Sequence, residues 1–134
     1  MDADTLKRKL SFRRPTDAKL VSRRGVVATQ LLGARTTWQL ATGLMFRRLR
    51  RRQALVFFTP FRRRCSLHMW FVFHPIDIVL CDYAPQGFVV REVRRGLRPF
   101  SHHRTRREVS CFIEFPGGGA GCVRTGDVLT PKDI

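Results

Sequence analysis

His68 and Asp77 are the first residues whose types could do chemistry together; they flank the bend at His74-Pro75. A carboxylate beside an imidazole holds its tautomer and raises its basicity, which suits general acid–base work. The competing expectation is purely structural, since buried polar groups usually have a partner that ties a loop to the backbone. Glu114 and Arg98 extend the set. Glu114 is out of phase with Ile113 and Phe115, so it should point away from their apolar face, toward solvent or a cleft. With Arg98 the acids could equally form an ion-pair network, which also perturbs titration. The candidate binding cleft is therefore His68, Asp77, Arg98 and Glu114, with His68 and Asp77 as the candidate catalytic pair.

Other chemistries are weakly supported. Cys65, His68, His74, His102, His103 and Cys111 are side chains that suit a soft or borderline metal. Their spacing is no recognised ligand frame, and Pro75 restricts His74. We expect no metal and no cofactor. A Gly-x-Ser-x-Gly elbow is absent. The run Gly117-Gly118-Gly119-Ala120-Gly121 lacks the Gly-Lys-Ser/Thr ending of a phosphate loop. Trp38, Trp70, Tyr83 and Phe100 could stack on bases or sugars beside arginines. Trp38 and Trp70 lie on apolar faces and are expected in the core, which leaves Phe100 as the exposed ring.

Charge suggests a second class of function. The chain carries 26 Lys plus Arg against 10 Asp plus Glu, net +16. No acidic residue falls between Asp17 and Asp77, whereas that stretch holds Lys19 and eleven arginines. Such a field attracts phosphate-rich polymers and anionic surfaces. Arg47, Arg48, Arg50, Arg51, Arg52, Arg62, Arg63 and Arg64 are the candidate polyanion contacts. The plainer alternative is codon bias: arginine outnumbers lysine 22 to 4 and asparagine is absent.

The elements that must position these residues are mostly strands. The length of 134 residues suits one core. Residues 1–24 read as a basic, weakly ordered tail, and residues 25–134 as a single β-rich domain. A strand opens at Gly25 and stops at Gly33. Thr36 or Thr37 caps a short helix near residues 36–45, with Trp38, Ala41 and Met45 on one face and Gly43 as its stop. Strands follow at residues 54–58, ended by Pro60, then at 66–73, 76–81, 88–93, 109–115 and 128–130. Residues 94–107 read as a basic loop. The four cysteines form no close pair and no signal peptide precedes them, so reduced thiols in a cytoplasmic, soluble protein are expected. The longest apolar stretch, at residues 67–80, is interrupted by His68, His74, Pro75 and Asp77, and is too short to span a bilayer.

Five segments in register resemble a known family. They are Gly43-Leu44-Met45-Phe46-Arg47; Leu67-His68-Met69-Trp70-Phe71 with Pro75-Ile76-Asp77-Ile78-Val79; Leu97-Arg98-Pro99-Phe100; Ile113-Glu114-Phe115-Pro116-Gly117-Gly118; and Gly126-Asp127. Together they resemble the domain-of-unknown-function 192 family over residues 25–130, in a histidine-methionine form associated with archaeal members. The resemblance implies a compact β barrel or sandwich with a short helix, and supplies no function. The fold expected is thus mainly β, at the margin α+β: a small antiparallel barrel or sandwich. The function expected is a ligand-binding or interaction module rather than an enzyme. Its partners would be an unidentified small ligand or protein, or nucleic acid at the arginine-rich loops.

Overall fold

Short apolar stretches with a period of two dominate the chain, and they pair into nine strands. The computed structural model describes residues 1–134, with every side chain except those of Thr37, Pro60 and Phe61. The elements are α1 (Ala3–Lys9), β1 (Thr16–Ser22), β2 (Gly25–Ala34), α2 (Thr37–Thr42), β3 (Gln53–Arg63), β4 (Ser66–His68), β5 (Ile76–Ala84), β6 (Gly87–Leu97), β7 (His102–Arg104), β8 (Val109–Pro116) and β9 (Val128–Lys132). Seven strands close into a barrel in the order β1-β2-β3-β8-β5-β6-β9, while β4 and β7 form a separate two-stranded sheet. The mainly β fold with a short helix after Thr36 is as the sequence implies. One ladder departs from the antiparallel pattern: β2 and β3 run parallel, Gln30 opposite Gln53 and Ala34 opposite Phe57. Parallel neighbours need a crossover, and here α2 and residues 43–52 supply it.

Strand alternation sorts the apolar residues into two clusters on opposite faces of the sheet. Ala54, Val56 and Phe58 of β3 join Val79 and Cys81 of β5, Cys111, Ile113 and Phe115 of β8, and residues of every other barrel strand. This cluster fills the barrel. Leu55 and Phe57 join Ile76, Ile78, Leu80 and Phe112 on the outer face, covered by Leu44, Leu49, Leu67, Met69 and Val72. Of the candidate residues, His68 and Glu114 sit on this second, outer layer.

The first 24 residues are not a loose tail. The side chain of Asp2 caps α1 by accepting from Thr5 N–H, and Ala3, Leu6 and Leu10 are buried in the barrel cluster. Ala3 N–H donates to Pro85 O at 2.9 Å, and the Tyr83 hydroxyl donates to Asp4. β1 then closes the barrel against β9, Lys19 opposite Lys132. The apolar spacing Ala3, Leu6, Leu10 was masked by the intervening charges. Gly33 does not end β2 but lies within it. A Cβ there would sit 2.6 Å from Leu10 Cβ, so the glycine is the seat on which the end of α1 rests.

Other expectations change as well. Thr36 is the N-cap of α2 in a reciprocal capping box with Gln39; the alternative cap, Thr37, lies outside the described side chains. Trp38, expected in the core, is 75% exposed. Leu40 of α2 and Leu44, just past its Gly43 cap, pack against the outer cluster instead. Trp70, also expected inside, is 52% exposed. The strand expected over residues 66–73 stops at His68, because the chain turns at Trp70-Phe71 and Phe71 adopts φ +56°. β3 continues to Arg63, and the stop expected at Pro60 falls on a residue outside the described side chains. The basic loop expected over residues 94–107 holds the last four residues of β6 and the whole of β7.

Candidate functional site

His68 ends β4, and its register opposite His102 of β7 fixes it over the outer face of the barrel. Its Nε2 donates to Ala41 O at 2.7 Å; the carbonyl can only accept, so this nitrogen carries the proton. Nδ1 is buried without a partner. Glu114 lies on β8 opposite Leu55 and Ile78, again facing outward under α2. It is 8% exposed, and its Oε2, like His68 Nδ1, is a buried side-chain atom without a partner among the described residues. Burial alone pushes the Glu114 carboxyl up to about 8. Both side chains line one cavity of about 30 Å³ with Gly43, Phe57, Val72 and Phe112. Gly43 is required there: its φ is +43°, and a Cβ would press to 3.0 Å on Phe57 and 3.9 Å from Glu114 Oε2. The space suits one water, which needs roughly 10–15 Å³, but not an organic substrate.

Asp77 does not join this pair. In register it faces Phe115, on the barrel-lumen side, whereas Glu114 and Ile78 face outward. β4 is not adjacent to β5, so the expected neighbourhood of His68 and Asp77 does not form. Asp77 is 1% exposed; Oδ1 accepts from Gly96 N–H at 2.9 Å and Oδ2 from Ala120 N–H at 3.1 Å. It ties the end of β6 to the glycine loop, the structural role weighed against catalysis. Arg98 is exposed, and its carbonyl accepts from Ser101. It lines neither cavity described here. The four-residue cleft thus reduces to His68 and Glu114.

The arginines divide. Arg62 is held by Asp82 through two bonds of 2.9 and 3.1 Å, which consumes its fork. Arg63 and Arg64 follow it, exposed, and are not among the residues lining the arginine-rich cleft. Arg47, Arg48, Arg50, Arg51 and Arg52 all line one open cleft of about 1240 Å³. His74, Pro75 and the glycines at 117–119 also line it, and no acidic residue does. Arg52 is anchored by Val26 O and Arg47 by Phe12 O, at 2.8 and 2.7 Å. Arg47 also stacks on the Phe12 ring, 4.8 Å from its centroid, and partial burial draws its pKa below the usual guanidinium range. Arg48, Arg50 and Arg51 are exposed and enter no ion pair among the described residues. No group of three or more His, Cys, Asp or Glu gathers among the described residues.

Residues 19–130 match the model of DUF192, described as an uncharacterized ACR. The chain belongs to this family. The fold of this DUF192 chain also recurs in solved structures. A candidate transcription regulator from Sinorhizobium meliloti superposes with a TM-score of 0.75 at 21% identity, covering 92% of this chain and 97% of that one. A protein of unknown function from Novosphingobium aromaticivorans gives 0.72 at 20% identity, covering 86% and 84%. At these identities the likeness concerns the fold, and neither carries the archaeal association. No curated protein matches the sequence significantly. No helix of the DUF192 chain is long and apolar enough to cross a membrane among the described residues. Sequence reasoning missed the exposed rings Phe46, Phe71 and Phe73. Their signal was the adjacency Trp70-Phe71, which strict alternation cannot bury on one face.

Proposed function

We propose that this chain is a non-enzymatic binding domain whose ligand is a phosphate-bearing polyanion, seated in the arginine-lined cleft. The observation that carries the reading is that five arginines, Arg47, Arg48, Arg50, Arg51 and Arg52, line one cleft with no acidic lining residue. Uncompensated positive charge on a concave wall raises the local concentration of anions. The cleft volume of about 1240 Å³ exceeds the ~300–1,000 Å³ of ordinary small-molecule pockets, so it favours a stretch of polymer or a ligand of several phosphates. Half-buried Arg47 has no carboxylate partner among the described residues, and a phosphate would offset its lost hydration. The acid–base reading with His68 and Asp77 has no such support, because the two face different layers.

The test is titration of a labelled single-stranded oligonucleotide, with pyrophosphate as competitor, over rising salt. Binding should weaken linearly in log–log form with a slope of about −0.7 per phosphate contacted. R48Q/R50Q/R51Q should reduce that slope by about 2, since each lost contact removes roughly 0.7. No binding at low salt, or an unchanged slope in the triple variant, would overturn the proposal.

A further inference from the structure

Three loops meet at one end of the outer layer: residues 43–47, 69–75 and 98–101. They are bonded to one another through the backbone. Phe46 N–H donates to Phe71 O at 2.9 Å, Phe100 N–H to Met69 O at 2.8 Å, and Met69 N–H to Ser101 O at 2.7 Å. From this platform Phe46, Trp70, Phe71, Phe73 and Phe100 stand exposed, between 42 and 71%. Phe46, Phe71 and Phe100 have φ of +58°, +56° and +60°. Bulky side chains avoid this left-handed region, and such strain persists only where the surroundings enforce it. The backbone therefore holds the rings outward.

The rings pack on each other. Phe46 and Phe71 stack at 4.9 Å with planes 21° apart. Phe100 takes edge contacts from Trp70, Phe71 and Phe73 at 6.4, 6.0 and 5.4 Å. They form one apolar cap whose sole polar group is the Trp70 indole N–H. Contiguous exposed apolar surface of this kind marks an interaction site. Positive charge borders it in the chain: Arg47 and Arg48 follow Phe46, and exposed Arg98 precedes Pro99-Phe100.

We propose that this cap docks the chain on an anionic lipid bilayer, its rings entering the boundary between headgroups and acyl chains. Arg48 and Arg98 then meet the lipid phosphates. Charge complementarity favours this occupant: the chain carries net +16, and arginines flank the rings. A second copy of the chain would bring the same arginines face to face. Bases stacking on the cap would need open ring faces, and Phe46 and Phe71 cover each other while Phe100 is ringed by three neighbours. Phenylalanine rings bring no polar group to desolvate, and tryptophan favours the interfacial depth. This inference rests on the rings and does not depend on the polyanion reading of the cleft.

The experiment is co-sedimentation of the full chain with vesicles of phosphatidylglycerol and phosphatidylcholine, and with phosphatidylcholine alone. The anionic vesicles should retain the chain and shift tryptophan emission to the blue; the neutral ones should retain it weakly. F71N/F100N is the key variant, because asparagine tolerates the left-handed backbone and the fold is kept. It should partition roughly tenfold more weakly for each ring withdrawn, while keeping oligonucleotide binding. R48Q/R50Q/R51Q should weaken vesicle binding by roughly fivefold for each charge that meets lipid, and F71N/F100N separates that loss from the ring contribution. Absence of binding to anionic vesicles at low salt, or equal partitioning of F71N/F100N and the parent, overturns the proposal. Loss of oligonucleotide binding in F71N/F100N with vesicle binding intact overturns it in favour of a nucleic-acid surface.

Discussion

Replacing Glu114 with glutamine tests the outer cavity most directly. Burial raises the Glu114 carboxyl from 4.5 to about 8, with no charged partner to restore it. Between these two values the folded chain holds a proton that the unfolded chain has released. Stability is then fully present below pH 4.5, falls as pH rises through this window, and is flat above about pH 8. The slope is about 1.4 kcal/mol per pH unit for one proton. At pH 7 the accumulated loss is about 3 kcal/mol, and above pH 8 it approaches about 5 kcal/mol. Glutamine keeps the shape and stays neutral, so Glu114→Gln should match the parent near pH 4.5 and exceed its stability by about 3 kcal/mol at pH 7. Urea denaturation of both chains at intervals from pH 4.5 to 8.5 reads the difference, and groups common to both chains largely cancel. His68 is the other titratable side chain lining the cavity. Parallel curves across the window would refute the reasoning, because they would mean that the ionised carboxylate finds a partner there, His68 being the candidate that shares the cavity.

Asp77→Asn should cost about 1–3 kcal/mol in the same assay, since its amide would confront a backbone N–H of Gly96 or Ala120, while Arg98→Ala stays within about 0.5 kcal/mol; a neutral Asp77→Asn would end its structural role. Among the four free cysteines only Cys122 is exposed, and burial raises the thiols of Cys65, Cys81 and Cys111. A thiol-reactive dye should therefore label one site in the native chain and four in denaturant, with Cys122→Ser abolishing the native signal.

Some of the candidate site was legible before folding and some was not. The phase of Glu114 against Ile113 and Phe115 correctly placed it on the opposite face, because a strand period of two is a local property. Its burial was not legible, since α2 and the loop from Gly43 cover it only once the chain crosses back to start β3. His68 and Asp77 looked adjacent because the chain between them is short. Strand pairing overrules sequence proximity: β4 seeks β7 and β5 seeks β8.

The helix at Thr36–Gly43 and the strand at residues 109–115 came from caps and alternation, which short stretches carry by themselves. Five motifs in register carried the family. The first 24 residues did not reveal their role, because Leu10 finds its partner in Gly33, distant in the chain, and Leu6 is buried in the barrel cluster. The sequence alone determined the mainly β class, the excess of positive charge and the alternating phase of side chains along β5 and β8. Only the tertiary structure decided which arginines share a cleft, and that Trp38 and Trp70 face water while Glu114 does not. The reason is that local patterning sets the phase of a side chain, whereas burial depends on what the rest of the chain lays over it.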